Sequence, residues 1–168
     1  YITVGAAAAL CCCFNGLSCP GDEFVVIAPY FPEYKVFIEG AHAAMKLVQP
    51  DPETLQIDVA ALAAAPGPNP NGVEVNSPNN PSGVVYTRQT LTALGALLEK
   101  KAAVYGHPIY LISDEPYREL VYDGVEVPFI PTVYDNTIVC YSYSKSLSLP
   151  GERIGYVCVP DPVPYTQL

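Results

Sequence analysis

Short, mostly apolar runs alternate along this chain with helix-forming stretches, and that alternation narrows the fold more than any other feature. Residues 23–28, 44–48, 73–75, 109–113 and 137–141 read as strands, each followed by a turn signal or a polar residue. Near-continuous hydrophobicity in such short runs marks strands buried on both faces. Helical sequence lies between them: the Ala-rich residues 6–10 after Gly5, residues 32–40 with Tyr34 and Phe37 three apart, and residues 58–65. Residues 88–104 form the longest, with Leu91, Leu94, Leu97 and Leu98 on one face behind Thr87, a good N-cap. Residues 66–72, a Pro, Gly and Asn run, read as a helix-to-strand connection, and residues 1–4 and 154–159 as further extended segments. Repeated strand-helix-strand order predicts an α/β fold in three layers, α/β/α, with a mostly parallel sheet covered by helices on both faces.

Charge and cysteine placement exclude several classes of partner. The formal net charge is −9 with only 8 Lys+Arg in 168 residues, so no basic stripe is available for nucleic acid. The apolar stretch over residues 2–14 lacks a basic flank and is too short to span a bilayer, so no membrane association is expected. Cys11, Cys12 and Cys13 are consecutive, Cys19 follows, and Cys140 and Cys158 fall in strand-like runs. With no C-x-x-C pair and both His residues distant, no metal site is expected; buried, reduced thiols in a cytoplasmic protein are the reading. The chain starts at Tyr1 without Met, apparently in mid-strand, and reads as a piece of something longer.

In parallel α/β sheets, ligands lie at the carboxyl ends of the strands. Phe31, Asn80, Asp114 and Lys145 all fall there, which is a reason to treat them as one site. Lys145 sits among small hydroxyl residues in Ser142-Tyr143-Ser144-Lys145-Ser146, with Arg153 beyond a Pro-Gly turn. Low solvation and nearby positive charge would lower its pKa and suit it to imine formation; the alternative is a surface Lys in a polar loop. Ser142, Ser144 and Arg153 could hold a phosphate dianion. Gly5 followed by Ala6 and Ala7 opens a helix directly after a strand, where free N–H groups attract phosphate, or is simply a helix start. Asp114 could pair with a protonated ring nitrogen, with Tyr117 three residues on, or cap the turn before Pro116. Asn80, forced towards extended backbone by Pro81, lies in a loop that as a bare pattern is only a turn. Phe31 could stack on a ring or fill the core.

Together, in this order, the Asn-Pro-x-Gly motif at Asn80, Asp114 with Tyr117, and the Ser-x-Ser-Lys segment resemble the aspartate-aminotransferase superfamily, class I/II and fold type I. The resemblance covers nearly the whole chain. It implies pyridoxal 5'-phosphate as cofactor and a Schiff base on Lys145, which also moves the proton in the reaction. It places Asp114 at the pyridine nitrogen, Tyr117 and Asn80 at the phenolic oxygen, and Phe31 over the ring. Ser142, Ser144, Arg153 and the backbone of Ala6 and Ala7 fall at the phosphate. Two departures stand out: Ala6 and Ala7 replace a frequent hydroxyl residue, and the stacking aromatic is Phe31, or Tyr30, in place of Trp or Tyr. The implied activity is transfer of an amino group from an amino acid to a 2-oxo acid. The alternatives are a carbon–sulfur lyase or synthase on the same cradle, or a non-catalytic sensor domain of a transcription regulator. Residues 1–168 are expected to be an incomplete large domain, without an N-terminal segment and the small domain that grips the substrate carboxylate. Such a chain would turn over little alone and would be a cytoplasmic homodimer at full length.

Overall fold

The computed structural model describes residues 1–65, 67 and 69–159, which build a seven-stranded sheet between two helical layers. Strand β1 (Ile2–Thr3) leads directly into helix α1 (Gly5–Leu17). Then come β2 (Glu23–Ile27), α2 (Glu33–Gly40), β3 (Ala44–Val48), α3 (Val59–Ala64), β4 (Pro70–Asn76) and α4 (Arg88–Tyr105). After β5 (Tyr110–Asp114) and a 3-10 turn (Ile130–Thr132) come β6 (Thr137–Ser142), the one-turn helix α5 (Tyr143–Ser146) and β7 (Gly155–Cys158).

The strand order is β1-β7-β6-β5-β4-β2-β3. Strands β2 to β6 are mutually parallel, whereas β7 runs antiparallel to β6 and β1 antiparallel to β7. From β2 the chain steps out to the edge strand β3 and returns to β4 on the other side of β2. That reversal opens a crevice at the carboxyl ends of β2 and β4.

Each central strand feeds two cores. Phe24, Val26, Ile112, Ile138 and Cys140 pack against α1 and α2 through Leu10, Cys13, Phe14, Tyr34 and Ile38. Their neighbours Val25, Ile27, Val73, Val75 and Leu111 pack on the opposite face against Leu62 of α3 and Leu91, Leu94 and Leu98 of α4. The period of two along a strand sends successive apolar residues to opposite layers, which is why the runs look continuous in sequence. Thr87 caps α4, its Oγ1 accepting from the Thr90 N–H at 3.1 Å.

Three local readings differ from the structure. Helix α1 continues to Leu17 instead of ending near Leu10. Ala9, Leu10, Cys13, Phe14 and Leu17 form a helical stripe on the sheet, and Phe14 meets Phe24 edge-on at 5.0 Å. Part of the 66–72 connection is strand, because β4 starts at Pro70; residues 66 and 68 lie outside the described residues. Pro70 is tolerated as a first strand residue. Gly72 is required by close packing, since a Cβ there would sit 2.8 Å from the Phe24 ring and 2.9 Å from the Tyr110 carbonyl oxygen. Of the cysteines, only Cys13 and Cys140 are buried, with sulfurs 3.6 Å apart; Cys11 is half-buried, while Cys12, Cys19 and Cys158 are exposed because they face away from the sheet or lie at its margin. Among the described residues no helix is long and apolar enough to cross a membrane, and no cluster of His, Cys, Asp or Glu could hold a metal ion.

Candidate active site

Asp114 is the last residue of β5, and its position in the fold decides its chemistry. The side chain is buried, and Oδ2 accepts a hydrogen bond from the Tyr34 hydroxyl of α2 at 2.6 Å. Oδ1 is equally buried and has no partner among the described residues. It belongs to the wall of a cavity of about 300 Å³ at the carboxyl end of the sheet. Burial pushes this carboxyl up to about 7, with the Tyr34 bond opposing and the Glu115 charge adding to the rise. The alternative of a turn-capping Asp finds no support: its carboxyl bonds Tyr34 and not the following backbone.

The loop after β4 forms a second wall. Asn76 donates from Nδ2 to the Asp114 carbonyl at 2.8 Å and accepts the Asn80 N–H on Oδ1 at 2.6 Å. One buried amide thus ties the end of β5 to the Asn-Pro loop, in which the peptides before Pro78 and Pro81 are cis. Asn80 and Tyr117 line the same cavity, so two residues singled out from sequence meet there. Burial, followed by the Asp114 charge, raises the Tyr117 hydroxyl above its ordinary range, with the nearby Asn80 side chain opposing the rise. Lys145 stands across the cavity on α5, with Nζ 5.7 Å from the centre of the Tyr117 ring. Among the described residues the low solvation expected around Lys145 is absent: the residue is exposed, on a single helical turn at the carboxyl end of β6 that buries none of its side chains.

Three segments converge at the third wall. Ser142 ends β6 and caps α5, its Oγ accepting the Ser144 N–H at 3.2 Å and donating to Ser144 Oγ at 2.8 Å. Arg153 donates from Nη1 to Ser144 Oγ at 3.3 Å and to the Pro150 carbonyl at 3.0 Å. Its guanidinium lies over the start of α1, where a Cβ on Gly5 would come within 2.6 Å of Nη2. Gly155 lets β7 reach the same point, since a Cβ there would strike the Tyr141 carbonyl oxygen and come 2.8 Å from the Gly5 carbonyl carbon. Ala6 and Ala7 in the first turn of α1 line the cavity beside them. The result is a cluster of hydroxyls, a guanidinium and the free N–H groups of a thirteen-residue helix, a combination that suits a phosphate.

Every residue singled out from sequence lines this one cavity, including Phe31; Tyr30 does not. Sequence reasoning missed Tyr34 and Asn76, which line it too. The residues fit pyridoxal phosphate on chemical grounds. An unpaired buried carboxylate oxygen suits a ring N–H, hydrogen-bonding groups at Asn80 and Tyr117 suit a phenolic oxygen, and the opposite end suits a phosphate. A family model for aminotransferase class I and II matches residues 1–165.

The chain belongs to the class I and II aminotransferases. Members of this family use pyridoxal phosphate. An aminotransferase from Eubacterium rectale, known as a crystal structure, is 59% identical with a TM-score of 0.94; the match covers 96% of this chain and 41% of that one. The probable aspartate/prephenate aminotransferase of Thermus aquaticus is 35% identical over 96% of this chain and 41% of its own length. Rat kynurenine–oxoglutarate transaminase 1 is 33% identical over 95% and 40%. This aminotransferase chain therefore spans about two fifths of the length of such relatives. Nothing in these names favours the lyase, synthase or sensor alternatives.

Proposed function

We propose that this chain is the cofactor-binding large domain of a pyridoxal-phosphate-dependent enzyme that moves an amino group from an amino acid to a 2-oxo acid. The observation that carries the reading is the buried Oδ1 of Asp114, without a partner among the described residues, in a cavity shared with Lys145. Pyridoxal phosphate, when bound, supplies a sink for the electrons left on a substrate carbon as its proton departs.

In this reading Asp114 Oδ1 takes the ring N–H and keeps the ring nitrogen charged. Tyr117 and Asn80, which line the same cavity, hold the phenolic oxygen, and Phe31 covers one ring face. Ser142, Ser144, Arg153 and the amide groups of Ala6 and Ala7 hold the phosphate. Lys145 Nζ is the amine that attaches the cofactor and, once released, carries the proton to and from the substrate carbon. The exposure of Lys145 and Arg153, and the coverage of two fifths of the relatives, support a site completed by residues outside this chain. A small domain and a second subunit are the sources we infer, in a cytoplasmic homodimer. The clamp for the substrate carboxylate belongs to those parts.

Borohydride reduction with pyridoxal phosphate, then peptide mapping, tests the reading. The label is expected on the peptide containing Lys145. Folded protein that carries no label there would defeat the assignment.

A further inference from the structure

Helix α5 carries Lys145 but is too short to hold itself in place. A four-residue turn has the unfavourable nucleation of a helix and almost none of its propagation, so its position depends on the groups tied to it. Its first end is tied through Ser142 and Ser144 to Arg153. Beyond Ser146 the chain is exposed through residues 147–150, so the far end needs a tie of its own.

Tyr141, near the end of β6, supplies that tie. Its hydroxyl lies 2.7 Å from Ser146 Oγ and 2.8 Å from Glu119 Oε2. The ring is buried, stacked on Tyr156 of β7 at 5.0 Å and met edge-on by Tyr143 at 5.2 Å. Tyr141 and Tyr156 are also register partners across β6 and β7, so strand pairing and ring stacking fix the phenol together. A phenol has one proton to donate. With a carboxylate as acceptor that proton goes to Glu119, and the Ser146 hydroxyl donates to the Tyr141 oxygen. Burial, the first cause, pushes the Tyr141 hydroxyl up to about 12, so the proton stays on the phenol at neutral pH.

Both partners sit beside the site in sequence. Ser146 directly follows Lys145, and Glu119 lies two residues after Tyr117. The path from Ser146 through Tyr141 to Glu119 therefore joins the segment carrying Lys145 to the segment carrying Tyr117. Lys145 Nζ stands 5.7 Å from the Tyr117 ring centre across that span. None of the three tied residues is among those lining the cavity, so they act on placement and not by contact.

We propose that Tyr141 is a positioning residue, a buried post that ties Ser146 to Glu119 and so holds the Lys145 amine within reach of a cofactor seated against Tyr117. This rests on the pyridoxal phosphate reading, which gives the amine something to reach. Cutting the tie should slow capture of the cofactor by Lys145 and leave the rest of the cradle intact.

Two ligands separate these effects. Pyridoxal phosphate carries the aldehyde that the amine captures, whereas pyridoxamine phosphate has the same ring and phosphate, lacks the aldehyde, and uses the cradle alone. The full-length enzyme with substitutions Tyr141→Phe, Ser146→Ala, Glu119→Ala and Glu119→Gln tests the proposal. Capture is followed by stopped-flow absorbance, and pyridoxamine phosphate affinity by titration. Y141F keeps the stacked ring and removes only the hydroxyl; it and S146A should each slow capture about tenfold. The double variant Y141F/S146A should be no slower than Y141F, because both cut one path. E119A should slow capture too, and E119Q, whose amide oxygen still accepts, should restore it to within about twofold of wild type. Every variant should bind pyridoxamine phosphate within about twofold of wild type, since the cradle is untouched. A Y141F that loses both readouts by the same factor has a merely structural defect and overturns the inference. Unchanged capture in Y141F, or an E119Q as slow as E119A, overturns it as well. Should Y141F fail to fold, S146A and E119A decide on the same two readouts. A wild type whose Lys145 captures no cofactor would overturn the site reading and this inference with it; normal capture in wild type and variants alike would overturn this inference alone.

Discussion

Asn76 shows how much of the site hangs on single side chains. Both ends of its buried amide are engaged, one with the Asp114 carbonyl and one with the Asn80 N–H. Asn76→Asp would set a carboxylate oxygen against the Asp114 carbonyl, leaving two buried acceptors facing each other. The expected cost is about 1–3 kcal/mol of stability, together with weaker cofactor binding as Asn80 loosens. Denaturant melts and a cofactor titration check this, and an unchanged midpoint would refute the bridging role. Asn80, Asp114 and Lys145 were legible in sequence because each ends or follows a strand and carries an obvious chemistry. Asn76 was not, since nothing local separates it from the other asparagines of its loop. Tyr34 was read only as part of an amphipathic helix, although a buried Tyr must find a partner for its hydroxyl.

Helix α1 carries its function at its first turn. Gly5 has φ +80°, and its missing Cβ makes room for the Arg153 guanidinium. Gly5→Ala would strain the backbone and push that guanidinium away from the helix start at once. Affinity for pyridoxal phosphate should fall about tenfold, while affinity for unphosphorylated pyridoxal changes little, because only the phosphate end is disturbed. Equal losses for both ligands would mean that Gly5 serves folding alone. Away from the site, Thr87→Ala removes the Oγ1 acceptor at the start of α4 and should cost about 1 kcal/mol in chemical denaturation without altering cofactor affinity. The capping Thr was readable because one residue type at one position carries the signal. The length of α1 was harder, because three consecutive cysteines and a late Gly16 hide a helical stripe that only appears when counted at the helical period.

At the scale of the whole molecule, the three layers follow from sequence alone, since double-faced burial forces helices onto both sides of a parallel sheet. Strand direction at the edge does not. The segments that became β1 and β7 carry the same apolar signature as the parallel strands, and their antiparallel pairing depends on the path taken after α5 and on the close meeting of Gly5 with Gly155. The central strands also carry buried acids, Glu74 within β4 and Asp114 with Glu115 at the end of β5, and the stability of the cofactor-free protein should record them. Asp114 rises from 3.8 to about 7 on folding, mainly through burial, and Glu74 and Glu115 are raised for the same first cause. The sign follows from proton counting. Between those two values the folded chain binds more protons than the unfolded one, so stability falls as pH rises and the full penalty is present above about pH 7. For Asp114 this penalty is on the order of 4 kcal/mol at most. Asp114→Asn removes its share, so the cofactor-free variant should melt higher than wild type at neutral pH, and the gap should close as pH falls towards 4. Bound cofactor should reverse the order, because a ring cation beside Asp114 favours the ionised carboxyl that the empty cavity penalises. Melting both proteins with and without pyridoxal phosphate across this range checks the argument. A variant gap that does not vary with pH would mean that Asp114 is not the group whose ionisation the fold opposes.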